Sequence, residues 1–289
     1  MAPLVKRLTM KGKKGDTIHI PKPIRGSASS KAEATAVQIQ ANLETELIVS
    51  VDQHWEYSRL IEDIVETQAL TSLRKFYTDD AGYALAKKVD DILFTLGTGV
   101  GNGAYTATPL ATGASWVNTG TFYSDASTGL TAYAIDTVVP ADVFTDAAFR
   151  NLIQKMDDND VPMDGRYFVI PPSMRNTMMG IERFVSSDFR NDQTVKSGLI
   201  GSIYGIDVYV SSNCPVIETA ANNTVSTVDT RGAFLFHKEA FVLAEQMSVR
   251  SQTQYKQEYL STLYTADTLF GVKNYRPEAA FVLAVPNVG

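Results

Sequence analysis

The most regular hydrophobic pattern in the sequence lies between residues 57 and 97. Apolar side chains recur there at steps of three and four residues, as on one face of an α-helix, and charged side chains occupy the opposite face. The pattern predicts a helix over about 60–96, roughly 55 Å long if unbroken. Asp79 and Asp80 mark a position where this helix breaks or begins again.

A period of two dominates the first fifty residues. Ile18 and Ile20 alternate with polar positions, and a second alternating run covers 36–51. Pro21 and Pro23 limit pairing between these runs, because proline lacks a backbone donor. The pattern predicts a long β-hairpin with too few large apolar residues to form a core alone, so we expect it to lie against a partner or the body of the protein.

Shorter elements alternate along the rest of the chain. The segment 97–140 is rich in Gly, Thr, Ala and Ser and is predicted to form surface loops. Because the other elements follow no regular strand–helix–strand order, we predict an α+β fold. The predicted helices cover 143–156, a short segment from a cap at Ser173 to Met179, and about 238–245, and the predicted strands cover 166–172, 201–211, 234–237, 270–272 and 279–285.

Composition excludes several classes of protein. The chain has 289 residues, of which 44% are hydrophobic and 20% charged, as in an ordinary globular protein. No apolar run approaches the roughly 18–20 residues that span a bilayer, and the first residues lack the apolar core of a secretory signal. Its one cysteine, Cys214, excludes a disulfide framework and a cysteine-rich zinc module.

Charge is unevenly distributed. Residues 1–31 carry a net charge of +7, whereas residues 32–289 carry −13. A basic arm on an acidic body favours contact with something negative, and the nearest candidate is another copy of the same body. A solvated tail and a nucleic-acid-binding arm are the alternatives.

Motifs of catalysis and metal binding are weak. The amino-acid sequence of residues 99–104 matches the glycine-rich fingerprint of dinucleotide-binding proteins, but it follows a predicted helix instead of a strand. The three histidines lie in unrelated contexts without metal-ligand spacing. The aspartates of 157–164 fail the positional pattern of a calcium loop. We therefore predict no catalytic, cofactor-binding or metal-binding residues, no cofactor, and a protein that is not an enzyme.

Several segments, in this order, resemble the major capsid proteins of tailed bacteriophages with the Hong Kong 97 fold, in particular those of short-tailed phages. Residues 15–23 look like the strand of the extended loop, and the run from Tyr57 to Asp90 looks like the approach to and body of the spine helix. Body segments similar to the family's are 166–172, 201–211 followed by Asn213 and Pro215, 234–240, and 276–280 before a closing apolar strand.

The resemblance implies an extended loop at 1–52 with little or no N-terminal arm. It further implies a peripheral domain of 53–140 and 246–289 that contains the spine helix at about 57–97, and an axial domain of 141–245. Copies would assemble through hexamers and pentamers into an icosahedral shell around double-stranded DNA, without sequence-specific binding and without a membrane. The partners would include a portal and scaffolding or decoration proteins, and the location would be the virion, after assembly in the host bacterial cytoplasm.

Charged residues are the candidates for contacts between subunits. Lysines at the tip of the loop would meet acidic side chains near the start of the spine helix of a neighbour. The candidate cations are Lys11, Lys13, Lys14, Lys22 and Arg25, and the candidate acids are Glu62, Glu66, Asp79 and Asp80.

Two other functions remain open from the sequence. One is a soluble enzyme with a dispersed site in the glycine-rich region 97–140. The other is a nucleic-acid-binding protein that uses the basic N-terminal arm, whose binding would be sensitive to salt.

Overall fold

The structure, a computed structural model, describes most of the chain. The residues outside the described part are 11–14, 24–27, 32, 38, 40–43, 69–72, 99–121, 127–128, 133–142, 182–200, 219–228 and 288–289. Most of the glycine-rich region predicted to form loops therefore lies outside the described residues.

Helices and strands are interleaved along the described chain, which confirms the predicted α+β class. The helices are α1 (Asp63–Gln68), α2 (Leu73–Thr98), α3 (Asp146–Asp158) and α4 (Pro172–Met179), with short 3₁₀ turns at Ala2–Leu4, Gln257–Tyr259 and Pro277–Ala279. The strands are β1 (Lys6–Thr9), β2 (Thr17–Pro23), β3 (Glu44–Ser50), β4 (Gln53–Glu62), β5 (Phe122–Ala126), β6 (Gly129–Ala132), β7 (Arg166–Ile170), β8 (Ser202–Ile203), β9 (Ile206–Val210), β10 (Val216–Glu218), β11 (Thr230–His237), β12 (Phe241–Lys256), β13 (Ser261–Asn274) and β14 (Ala280–Pro286).

A four-stranded sheet has the order β1-β12-β13-β4. The first strand pairs parallel to β12, and the other neighbours are antiparallel. Helix α2 packs on this sheet through Ala81 and Leu85, which form a buried cluster with Ile61, Tyr264 and Ala266. Further along the helix, Leu93 and Phe94 are buried in the main core, whereas much of the surface of its first half faces solvent.

An eight-stranded sheet holds the main core. Its order is β6-β5-β14-β11-β7-β9-β8, with β10 paired to β11. The central strands β11 and β14 are buried along nearly their whole length, because both faces of the sheet are covered there. Helix α3 contributes Phe149, Leu152 and Met156 to this core, and its first turn is capped by the Thr145 hydroxyl, which accepts a hydrogen bond from the Ala148 N–H at 3.2 Å.

Two of the connections between the two sheets touch each other. One crossing joins β11 to β12 and the other joins β13 to β14. The Ala240 carbonyl accepts hydrogen bonds from the N–H groups of Tyr275 and Arg276, at 2.8 and 3.2 Å. Arg276 also pairs with Glu239 at 3.3 Å. These contacts join the two sheets at one junction.

Strands β2 and β3 form a two-stranded antiparallel hairpin, from Thr17 opposite Ser50 to Pro23 opposite Glu44. This confirms a hairpin in the first fifty residues but corrects its extent. The first strand, Lys6–Thr9, lies in the four-stranded sheet instead, where Met1 and Val5 also reach the main core. Of the alternating run 36–51, residues 38 and 40–43 lie outside the described part.

Three sequence predictions are wrong in detail. Residues 57–62 belong to β4, where Ile61 is buried between exposed neighbours and pairs with β13. The long helix begins only at Leu73. The predicted helix near 238–245 is a turn followed by β12. The run Phe241–Ala244 is continuously apolar because it is enclosed by β1 and β13. A continuous apolar run has neither the strand period nor the helix period, so the sequence pattern cannot tell the two apart. Ser173 does not cap α4; Pro171 stands at the cap and proline occupies the first helical position.

Candidate inter-subunit surfaces

The base of the hairpin is anchored on the protein's own four-stranded sheet. Val49 is completely buried, and with Met10 and Val51 it packs on Val242 and Ala244 of β12. The Val51 N–H donates to the Asp16 carbonyl at 2.8 Å. Of the two alternatives that the sequence left open, a partner or the body of the protein, the body of the same chain covers the base of the hairpin.

Gly271 of β13 determines how closely the hairpin approaches the sheet. A Cβ atom at this position would lie 2.1 Å from the carbonyl oxygen of Ser50 and 2.9 Å from the Cα of Val51. Side-chain carbons do not occur at such distances from backbone atoms, so only glycine admits the crossing between β3 and β4. The sequence gives no signal of which segment crosses this glycine.

The far part of the loop is uncovered. Residues 28–31 and 33–37 are exposed, and so is Ile39. Val37 is 70% exposed and Ile39 96% exposed, and the value for Ile39 is the largest among the exposed large hydrophobic side chains of the described residues. On the outer face of the hairpin His19 contacts Glu46 across the strands. The loop therefore has a covered base and an apolar outer segment that its own chain leaves in solvent.

The predicted cations are mostly not placed by the structure. Lys11, Lys13, Lys14 and Arg25 lie outside the described residues, and Lys22 lies in β2 opposite Thr45.

Two other basic residues of the first segment are used within the chain. Arg7 pairs with Glu245 of β12, and the Lys6 ammonium lies 4.5 Å from the centre of the Tyr275 ring. Part of the basic charge of the first thirty residues therefore stabilises the attachment of β1, which the charge pattern alone does not reveal.

The predicted acids lie at the start of the long helix and beside it. Glu66 of α1 is 3.5 Å from Arg74, and the Asp80 carboxylate accepts a hydrogen bond from the Tyr57 hydroxyl at 2.6 Å. Burial, followed by this hydrogen bond, raises the pKa of Tyr57. Glu62 and Asp79 are exposed, and no described cation pairs with either of them. These two carboxylates are free for contact with another molecule.

Exposed apolar side chains lie close to these acids in sequence. Ile64 and Val65 of α1 are 67% and 48% exposed, and Phe76 and Tyr83 of α2 are 63% and 67% exposed. Sequence reasoning did not identify this surface, because it assigned apolar residues of the long helix to a buried face. The spacing of Phe76 and Tyr83, seven residues apart on one face of the helix, is the signal that was available.

Ion pairs bridge three strands of the four-stranded sheet. Arg250 of β12 makes a bidentate contact with Asp267 of β13 at 2.7 and 3.1 Å, and the His54 ring of β4 is 3.3 Å from the same carboxylate. The hydrogen bond from Arg250 is the main cause of a lowered pKa of Asp267. This contact holds β12 and β13 together where the sheet extends away from the core.

Buried polar groups in the eight-stranded sheet serve the fold. The Nε2–H of His237 donates to the Asp164 carbonyl at 3.0 Å, and its Nδ1 accepts from the Glu239 N–H at 3.3 Å, so the ring is held neutral. Burial is the main cause of a lowered pKa of His237. Arg166 is buried and donates to Asp157 at 2.6 Å, which fixes the end of α3.

Chemistry of catalysis or metal binding finds no support in these arrangements. Burial raises the pKa of the Cys214 thiol to about 12, so this cysteine is not an activated nucleophile. In the described part of the chain no group of three or more His, Cys, Asp or Glu side chains could hold a metal ion. No described helix is long and apolar enough to cross a bilayer.

Comparison with known proteins identifies the family. A sequence model of the phage capsid protein family matches residues 60–283, more than half of the chain. No curated protein sequence matches.

Several solved structures from phages have similar folds. A structure from Mycobacterium phage Che8 is 21% identical, covers 98% of this chain and 89% of its own, and has a TM-score of 0.68. The capsid of cyanophage P-SCSP1u is 21% identical, covers 99% of this chain and 87% of its own, and has a TM-score of 0.72. The capsid of Ralstonia phage GP4 is 12% identical, covers 99% of this chain and 88% of its own, and has a TM-score of 0.73. The fold and the family match together confirm the resemblance found in the sequence. The chain belongs to the phage capsid protein family and is a major capsid protein with the Hong Kong 97 fold.

Proposed function

We propose that copies of this protein assemble through hexamers and pentamers into a closed icosahedral shell that encloses the double-stranded DNA of a tailed phage. The observation that carries this proposal is the hairpin, which is anchored at its base and exposes apolar residues further out. An apolar segment that its own chain leaves uncovered gains burial when a neighbouring copy covers it. Folding of the subunit and assembly of the shell then share one driving force.

The division into domains follows the two sheets. Residues 1–52 include the extended loop, but β1 belongs with the four-stranded sheet, so the loop proper is the part from about residue 11. We assign the four-stranded sheet with α2 to the peripheral domain and the eight-stranded sheet to the axial domain. This assignment moves β5, β6 and β14 from the predicted peripheral segments to the axial domain, because they pair within the eight-stranded sheet.

The acidic residues beside the long helix are the proposed partners of the basic loop. Glu62 and Asp79 are exposed, and they lie near the apolar residues of α1 and α2. Lys11, Lys13 and Lys14 of a neighbour would supply the opposite charge, with Lys22, Arg25, Glu66 and Asp80 in supporting positions. Complementary charge of this kind sets register and association rate more than affinity.

A charge swap tests this pairing. Replacing Glu62 and Asp79 by Lys should reduce the yield of shells at low salt, and so should replacing Lys11, Lys13 and Lys14 by Glu. Combining both sets should restore assembly. The control is Asp158→Lys, an exposed acid at the end of α3. Normal assembly of both reversed proteins, or no recovery in the combined one, would reject the pairing.

The remaining partners follow from the shell. A portal, and scaffolding or decoration proteins, would contact it, and DNA would be enclosed without sequence-specific binding. The protein would act in the virion after assembly in the host cytoplasm, as a structural protein without enzymatic activity. Size-exclusion chromatography and negative-stain electron microscopy of the purified protein test the proposal. We expect closed shells of uniform size; a monomer or dimer that never assembles, including with scaffolding protein, would overturn it.

A further inference from the structure

The outer side of the first half of α2 carries a stripe of side chains that its own chain leaves in solvent. The stripe consists of Phe76, Asp79, Tyr83 and Lys87, which follow one another at steps of three and four residues and therefore share one side of the helix. All four are exposed. The helix packs on the four-stranded sheet through another side, where Ala81 is completely buried.

Two large aromatic rings give this stripe its apolar character. Phe76 and Tyr83 are the most exposed large hydrophobic residues of α2 among those that the structure describes. The Phe76 ring meets the Tyr77 ring edge to face, with the centroids 5.6 Å apart, and most of its surface still faces solvent. Exposed aromatic side chains grouped on one surface are typical of a site that binds another protein.

The two charges of the stripe cannot pair with each other within one helix. Asp79 lies four residues before Tyr83 and Lys87 four residues after it, so the two charged positions are about 12 Å apart along the helix axis. In the described part of the chain neither Asp79 nor Lys87 forms an ion pair. Opposite charges at equal distances on either side of one residue make a self-complementary pattern. When two copies of the helix run antiparallel, each Asp79 comes level with the Lys87 of the other copy.

We propose that α2 pairs with α2 of a second copy of this chain, antiparallel, about a two-fold axis near Tyr83. The two Tyr83 rings meet at the axis, and Phe76 extends the apolar contact at each end. The charges favour a second copy as the occupant, because one surface supplies both members of each ion pair. They also set the direction, since parallel helices would place Asp79 beside Asp79.

The symmetry of this contact places it between hexamers and pentamers. Within a ring, neighbouring copies meet head to tail through two different surfaces, whereas a surface that contacts itself relates two copies by a two-fold axis. The inference rests on the proposed assembly and adds a surface that joins adjacent rings. A contact of this small size becomes effective when it is repeated over a shell. Glu62 lies in β4 outside the stripe and remains available to the basic loop.

Exchange of the two charges tests the pairing. Asp79→Lys should lower the yield of closed shells at low salt at least about tenfold, because like charges then meet at both ends of the contact, and Lys87→Glu should do the same. Combining the two changes should restore the yield. The matched control combines Asp79→Lys with Lys75→Glu, which restores the net charge at an exposed lysine one turn before Asp79 but does not restore the pairing.

The outcomes separate this contact from the rest of the assembly. Recovery with Lys87→Glu and not with Lys75→Glu supports the antiparallel pair. A normal yield for Asp79→Lys, no recovery, or equal recovery in both combinations would overturn the inference while the proposed function stands. Failure of the unaltered protein to form shells would instead reject the proposed function.

A single introduced cysteine locates the two-fold axis. Tyr83→Cys brings two thiols together at the axis, where oxidation can join them in a disulfide. The matched control is Thr78→Cys, at an exposed position on a different side of the same helix, and the native Cys214 is buried and adds no background. After oxidation of shells and blocking of the remaining thiols, a denaturing gel without reductant separates linked dimers from single chains.

We expect dimers from Tyr83→Cys shells and only background from Thr78→Cys shells. Equal linking in the two variants, or linking of the new thiol to a protein other than a second copy, would overturn the inference. If Tyr83→Cys prevents the shell from closing, the charge exchange, which keeps both aromatic rings, decides.

Discussion

Replacement of Gly271 by alanine tests how the hairpin is anchored. The new methyl group would lie 2.1 Å from the Ser50 carbonyl oxygen, about 1.3 Å short of ordinary contact, and the obstacle is backbone and cannot rotate away. The crossing between β3 and β4 must therefore move off the sheet. Overpacking of this kind costs about 1–3 kcal/mol, and partial exposure of Val49 and Val51 adds to it, since burying one valine is worth about 1.5–3 kcal/mol. We expect a loss of about 2–4 kcal/mol.

Urea denaturation of dissociated subunits measures this loss, and hydrogen exchange at the Val51 amide localises it to the hairpin. The matched control is Gly82→Ala in α2, where an added Cβ meets nothing within 4 Å. That change should stabilise the subunit by about 0.5–1 kcal/mol, because alanine is the better helix former. If Gly271→Ala were as stable as the unaltered protein, with the Val51 amide equally protected, the anchoring role of this glycine would be refuted.

Three further predictions concern titratable groups. Burial lowers the pKa of His237, so on acidification this imidazole is protonated in the unfolded chain before it is protonated in the folded one. Thermal stability should therefore be full above about pH 6.5 and fall as the pH drops below it. A His237→Gln protein that keeps the same pH dependence would contradict this. Asp267→Asn should lower the melting temperature, because Arg250 loses a charged partner, whereas an unchanged melting temperature would show that the pair adds nothing. Cys214 should react with maleimide only after denaturation, and rapid labelling of the native protein would contradict its burial.

The sequence was informative where one pattern persisted over many residues. The period of α2 extends over 26 residues and predicted a long helix, but its start was placed too early. Leu60 and Ile61 fit the helical period but lie in β4, and only the pairing with β13 decides between helix and strand there. The run Phe241–Ala244 was misread as helix because strands enclosed on both sides lose their alternation.

Contacts between segments distant in sequence were not predictable. Gly271 lies more than two hundred residues from Ser50, so a glycine in a strand signals a close approach but not what approaches. The acids Glu62 and Asp79 were identified from charge alone, whereas the exposed aromatic residues Phe76 and Tyr83 were not. Helical spacing does not state which apolar residues a neighbouring element covers.

Electron cryomicroscopy of the assembled shell tests the central claim most directly. That claim is that the anchored hairpin of each subunit is completed by its neighbours. We predict density for the loop carrying Val37 and Ile39 lying across an adjacent subunit, with its base still on the sheet at Gly271 of its own chain. A shell in which that loop folds back entirely over its own subunit would contradict the account.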